Sequence, residues 1–147
     1  MQVVEAARAW LGTRWQHQGR VRGVGCDCAG LVLEVSRALE LHTAEQLAEV
    51  EAAVAGYSRQ PDGRLRGLCE RLLHETTPEL MQPGDVLLMR TERDPQHLGI
   101  AGPYPAPGEL SLIHASALHR KVVEHRLDAV WRRAVVGVFV LPGVTDE

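Results

Sequence analysis

Apolar residues change their spacing about halfway along the chain. Val3, Val4, Ala7, Trp10 and Leu11 recur at helical intervals and Gly12 follows as a stop, which predicts a helix over Val3–Leu11. Thr13 to Cys26 has little periodicity and carries Gly19, Gly23 and Gly25, so it reads as a loop. Asp27 is a good N-cap for a second helix over Ala29–Leu41, with Leu31, Val32, Val35 and Leu39 on one side. Thr43-x-x-Gln46 has the form of a capping box opening a helix over Thr43–Ala55, and Leu65–His74 predicts a fourth. From Pro83 the pattern shortens. The Pro83-Gly-Asp85 turn precedes the apolar run Val86–Met89, and His97–Ala101, Leu110–His114, Val122–His125 and Val135–Val140 are all strand-like. Gly102–Gly108 holds three prolines and reads as a connecting loop.

Helices first and strands second predict an α+β fold with an antiparallel sheet. A length of 147 residues, without a repeat or a linker, suggests one domain over 1–147. With 45% apolar and 24% charged residues, the composition excludes a disordered or collagen-like chain. The net charge of −3 provides no electrostatic footprint for nucleic acid. Ala134–Leu141, the longest apolar run near the C-terminus, is too short for a bilayer. The N-terminus lacks the pattern of a secretory signal and the three cysteines are an odd number, so free thiols and a cytoplasmic site of synthesis are expected.

Three residues stand out for chemistry. Cys28 falls in the first turn of the second predicted helix, where backbone N–H groups and the helix dipole favour the thiolate and can hold an oxyanion. A thiol nucleophile needs a base, and the base needs an orienting partner. His97 opens one predicted strand and His114 lies near the end of the next. If those strands pair, the imidazoles meet. His97 can then take the proton of Cys28 while His114 accepts a hydrogen bond from the other ring nitrogen. Taken singly, a cysteine or a histidine is more often packing than catalysis.

Metal binding is disfavoured. The Cys26-x-Cys28 pair is a poor chelate, and His114 and His119, five apart on a strand, point to opposite sides. A Cys26–Cys28 disulfide would be strained. Cys26 therefore reads as a buried neighbour and Cys69, beside Leu65, Leu68 and Leu72, as core. His119 and His125 have no identifiable partner, and Arg132-Arg133 and Arg120-Lys121 read as solvated surface.

Together, Gly25-Cys-Asp-Cys-Ala-Gly-Leu-Val32, His97-Leu-Gly-Ile100 and Leu112-Ile-His-Ala115 resemble the NlpC family of p-sixty-type cell-wall peptidases. That family carries D-C-S-G-L-V at a helix start, H-V-G-I-Y on a strand and I-H-A on the next. Pro83–Leu88 is similar to the turn and strand before the family histidine, and Trp10-Leu-Gly-Thr-Arg-Trp15 to its L-G-x-P-Y segment. The resemblance implies a papain-like fold, Cys28 as nucleophile, His97 as general base and His114 as orienting residue, with no cofactor. It also implies a substrate, the stem peptide of peptidoglycan, cut between D-glutamate and a diamino acid. Trp15–Arg20 and Gly23–Cys28 resemble the branch encoded with phage tails and gene-transfer agents, which implies delivery to the wall by such a particle.

Two departures bear on the site. Trp15 stands where the family usually has tyrosine and offers only an indole N–H, leaving Gln16 or His17 as substitutes. Ala29 replaces the usual serine. Asp27 aligns with a residue that in some members binds the stem-peptide amine, although capping the helix is an equally good role for it. The same triad would serve an acyltransferase or amidase, and a non-catalytic tail protein could keep the fold without needing the triad.

Overall fold

The computed structural model describes residues 2–55, 64–90 and 96–143. Helix α1 (Gln2–Arg8) buries Val3, Val4 and Ala7. Its last apolar residues continue as tighter turns, with Trp10 N–H donating to Ala7 O at 3.0 Å and Leu11 N–H to Arg8 O at 3.1 Å. The chain then reverses at Gly12, whose φ of +86° suits glycine. The expected helix over Val3–Leu11 is thus shorter. The predicted loop contains a small hairpin of β1 (Arg20–Val21) and β2 (Gly25–Cys26).

Helix α2 (Cys28–Ala38) is capped by Asp27 as the sequence predicts. It ends earlier than Leu41, with Leu39 N–H bonded to Val35 O and Glu40 in a left-handed conformation. In α3 (Ala44–Ala55) the capping box is formed in both directions: Thr43 N–H donates to Gln46 Oε1 at 2.9 Å and Gln46 N–H to Thr43 Oγ1 at 3.1 Å. Helix α4 (Arg64–Leu72) stops before His74, and His74–Thr76 forms the strand β3. Here sheet pairing overrides helical spacing. His74, Glu75 and Thr76 pair with Val140, Phe139 and Val138 of the last strand.

The main sheet is completed by β4 (Val86–Met89), β5 (His97–Pro103), β6 (Leu110–Ser116), β7 (Lys121–Arg126) and β8 (Val135–Val140). Its order is β3-β8-β4-β5-β6-β7 and every pairing is antiparallel. Alternation along the strands divides the core. Val86, Leu88, Leu98, Ile100, Ile113 and Ala115 pack with α1, α2 and α4, while Leu87, Met89, Ala101 and Leu112 pack with Leu127, Val138 and Trp131. Trp131 lies on α5 (Ala129–Ala134), a helix the sequence reading missed, whose N-cap Asp128 accepts the Trp131 N–H at 3.0 Å. The α+β, papain-like architecture is the one expected.

Gly30 fastens α2 to the loop before it. A Cβ there would stand 2.3 Å from the Gly19 carbonyl oxygen and 3.1 Å from Asp27 Oδ1, whereas one at Gly67 in α4 would meet nothing within 4 Å. Gly30→Ala is expected to destabilise the protein by about 1–3 kcal/mol, through overpacking against backbone. Gly67→Ala should stabilise it by up to about 1 kcal/mol, through helix propensity alone. Urea unfolding midpoints of the two variants check the contrast.

Candidate active site

Cys28 is the first residue of α2 and is buried at 4% exposure. It belongs to the apolar cluster that holds Leu98 and Ala115, the residues next in sequence to His97 and His114. Helix α2 packs against both β5 and β6. The pairing of these two strands runs from Pro103↔Leu110 to Ile100↔Ile113 and, among the described residues, is not continued to His97 and His114. Each strand stays paired on its outer side, β5 through His97↔Met89 and β6 through Ser116↔Lys121. The histidines thus sit where the sheet opens between its two inner strands.

They meet there. His97 Nε2 and His114 Nδ1 are 2.7 Å apart, with both rings buried and close to perpendicular at an interplanar angle of 78°. Gly99, between the strands, makes room, since a Cβ would lie 2.5 Å from Leu112 Cδ1 and 3.3 Å from His114 Cβ. The row continues: His114 Nε2 lies 2.9 Å from His125 Nε2, and His125 Nδ1 lies 2.9 Å from the Arg126 carbonyl oxygen. Trp131 packs against all three imidazoles, with ring centroids 6.4, 5.1 and 5.4 Å from those of His97, His114 and His125.

Burial, reinforced by the neighbouring His97, His125 and His119, depresses the pKa of His114 to about 2. The ring is therefore neutral in the folded protein. Unfolded, it would titrate near 6.5. Between those values the unfolded chain binds the extra proton, so stability rises with pH. The His114 contribution is complete above about pH 6.5 and declines as the pH falls toward 2. Unfolding midpoints measured from pH 7 to 4.5 are expected to fall, and less steeply in His114→Asn.

Cys26 is held as a thiol, its pKa pushed up to about 12 by burial and then by the nearby Asp27 and Cys28. Burial likewise raises Cys69 to about 12. None of the three cysteines is joined in a disulfide. Among the described residues, no group of three or more His, Cys, Asp or Glu side chains is placed to hold a metal ion.

Asp27 is buried, with Oδ1 accepting the Gly30 N–H at 2.8 Å and Oδ2 the Gln18 N–H at 2.7 Å. Burial raises its pKa, against the lowering by those two amides and by His17. The carboxylate thus joins the start of α2 to the preceding loop. Trp15 is half-buried, bridges to Cys26, and donates its backbone N–H to Arg120 O at 2.9 Å. Gln16 is exposed, its side chain lying over Gly25, and His17 is exposed near Asp27.

His125 and Trp131 are the residues the sequence reading missed. His125 stands opposite Leu112 and His114 opposite Val123, which puts the two histidines diagonally on one side of the β6–β7 pair. That relation needs the hairpin register, which the sequence between the strands does not declare.

A cysteine opening a helix that packs on an antiparallel sheet, with paired histidines on the facing strands, defines the papain-like class. The chain belongs to the NlpC/P60 family, whose sequence model matches residues 12–140. Solved structures with this fold include an NLP/P60-family protein similar to lipoprotein from Staphylococcus aureus subsp. aureus Mu50, at 16% identity and a TM-score of 0.59. That match covers 97% of this chain and 41% of the staphylococcal one, so the chain spans less than half that protein's length. The NlpC/p60 domain of the peptidoglycan hydrolase SagA is similar at 17% identity and a TM-score of 0.61, covering 94% of this chain and 95% of that domain. No curated protein matches in sequence.

Proposed function

We propose that the protein is a cysteine endopeptidase that hydrolyses peptidoglycan stem peptides between D-glutamate and the diamino acid. One observation carries this reading: the buried 2.7 Å His97–His114 pair on the two strands against which the Cys28 helix packs. Membership of the NlpC/P60 family supports it, as does the shared fold with a domain of the peptidoglycan hydrolase SagA.

With Nε2 engaged by His114, His97 has Nδ1 to act as the base. It takes the Cys28 proton, and the thiolate attacks the amide carbonyl. Backbone amides at the start of α2 hold the oxyanion, and imidazolium His97 protonates the departing amine. A water molecule deprotonated by His97 then cleaves the thioester, releasing the carboxylate product and the Cys28 thiol. His114 stays neutral and orients the base, and no cofactor takes part. We assign the stem peptide to the surface around Trp15, Gln16 and His17, with Asp27 supporting that loop. The reading treats 1–147 as one domain, made in the cytoplasm. The similarity of Trp15–Arg20 and Gly23–Cys28 to the phage-tail and gene-transfer-agent branch supports delivery to the wall within such a particle.

Digestion of purified muropeptides followed by mass spectrometry tests the proposal. The expected products are fragments ending in D-glutamate, and stem peptides left intact would refute it. Transfer of the acyl group to an added amine in place of water would indicate an acyltransferase on the same fold.

A further inference from the structure

We infer that His125 is a positioning residue, and that the Arg126 carbonyl at the end of the row fixes the proton positions of His125, His114 and His97. A carbonyl oxygen only accepts, so the 2.9 Å contact requires His125 Nδ1 to carry a hydrogen. Neutral His125 then has a lone pair on Nε2, and the proton in its 2.9 Å contact with His114 comes from His114 Nε2. Neutral His114 is left with a lone pair on Nδ1, which accepts from His97 Nε2–H across 2.7 Å. Neutral His97 therefore has its lone pair on Nδ1. That is the tautomer a base for Cys28 needs, and this catalytic consequence rests on the function proposed above.

The row lies on one side of the sheet, built from three adjacent strands, and Trp131 covers it. Either direction of proton donation would satisfy the two histidine–histidine contacts taken alone, because neutral imidazole offers one donor and one acceptor. The Arg126 carbonyl, which can only accept, breaks that symmetry. Removing the acceptor at His125 leaves the His114 Nε2–H without its partner in a buried setting and favours the His114 Nδ1–H tautomer. His114 would then donate to His97 Nε2, and the His97 proton would move to Nδ1, where it blocks the base.

His125→Phe keeps a planar ring without the acceptor, whereas His125→Gln restores an oxygen near the position of Nε2. We expect His125→Phe to lower kcat roughly 10- to 100-fold with KM little changed, the scale of one unsatisfied buried hydrogen bond. His125→Gln should recover most of that loss. Long-range 1H–15N correlation spectra of histidine-labelled protein read the tautomers directly. Wild type is expected to show His125 as Nδ1–H and both His114 and His97 as Nε2–H, with His114 changing to Nδ1–H in His125→Phe. A wild-type His114 carrying its proton on Nδ1, or a Phe variant with unchanged kcat and tautomers, would overturn the inference.

The wild-type spectrum needs no substitution, so the test stands even if the Phe variant fails to fold. It needs no turnover either. The expected tautomers in a protein that leaves muropeptides intact would support the relay and refute only the peptidase reading. Normal hydrolysis with the opposite tautomers would refute only the relay.

Discussion

Replacing Cys28 by alanine is expected to abolish muropeptide cleavage while leaving the fold intact. Sulfur is removed from a buried position at the start of α2, and alanine is a better helix former that fills most of the same space. The Asp27 bonds to the Gly30 and Gln18 amides do not involve the Cys28 side chain, so the helix start should persist. Loss of a covalent nucleophile costs roughly 10^4-fold or more in kcat, which in practice means no detectable product. Circular dichroism and the melting temperature would report the intact fold. Cleavage by Cys28→Ala at the wild-type rate would remove the thiol from the mechanism.

His97→Ala is expected to be almost as severe, for a different reason. On the proposed mechanism the nucleophile remains, but its proton has no acceptor, and the departing amine has no acid. A fall of roughly 10^4-fold in kcat with a modest change in KM is the expected signature, because the proposed mechanism has His97 act in the transition state rather than in ground-state binding. The two losses should not add. Removing either member of a unit that acts together forfeits most of what the unit supplies, so the double variant should be no slower than Cys28→Ala alone. Single-turnover kinetics on a defined stem peptide would separate the two effects.

How much of this is legible in the sequence depends on the range of the interactions involved. The α2 cap at Asp27, the capping box at Thr43 and Gln46, and the strands β4 to β8 follow from neighbours a few residues apart. The juxtaposition of His97 and His114 also follows, since consecutive strands tend to pair. The misses at His74 and His125 are long-range. His74 continues a helical pattern, but Val138–Val140 supplies a strand partner for His74–Thr76, and pairing decides. His125 carries no local mark of function. Its link to His114 depends on the register of the β6–β7 hairpin, in which a shift of one residue would turn it to the other side. In α5, the Asp128 cap had an ordinary local signal, hidden by reading Arg132-Arg133 only as surface charge.

The central claim is that Cys28 and His97 work as a pair, and thiol labelling tests it without any assumption about the substrate. Wild type and His97→Ala would be treated with iodoacetamide at about pH 6.5, where ordinary thiols are almost wholly protonated, and the modified residue located by mass spectrometry. Cys26 and Cys69, buried and held as thiols with pKa values near 12, supply internal controls. The account predicts rapid alkylation at Cys28 alone in wild type and its loss in His97→Ala. Equal labelling of Cys28 in both proteins, or labelling that does not distinguish Cys28 from the other two cysteines, would contradict it.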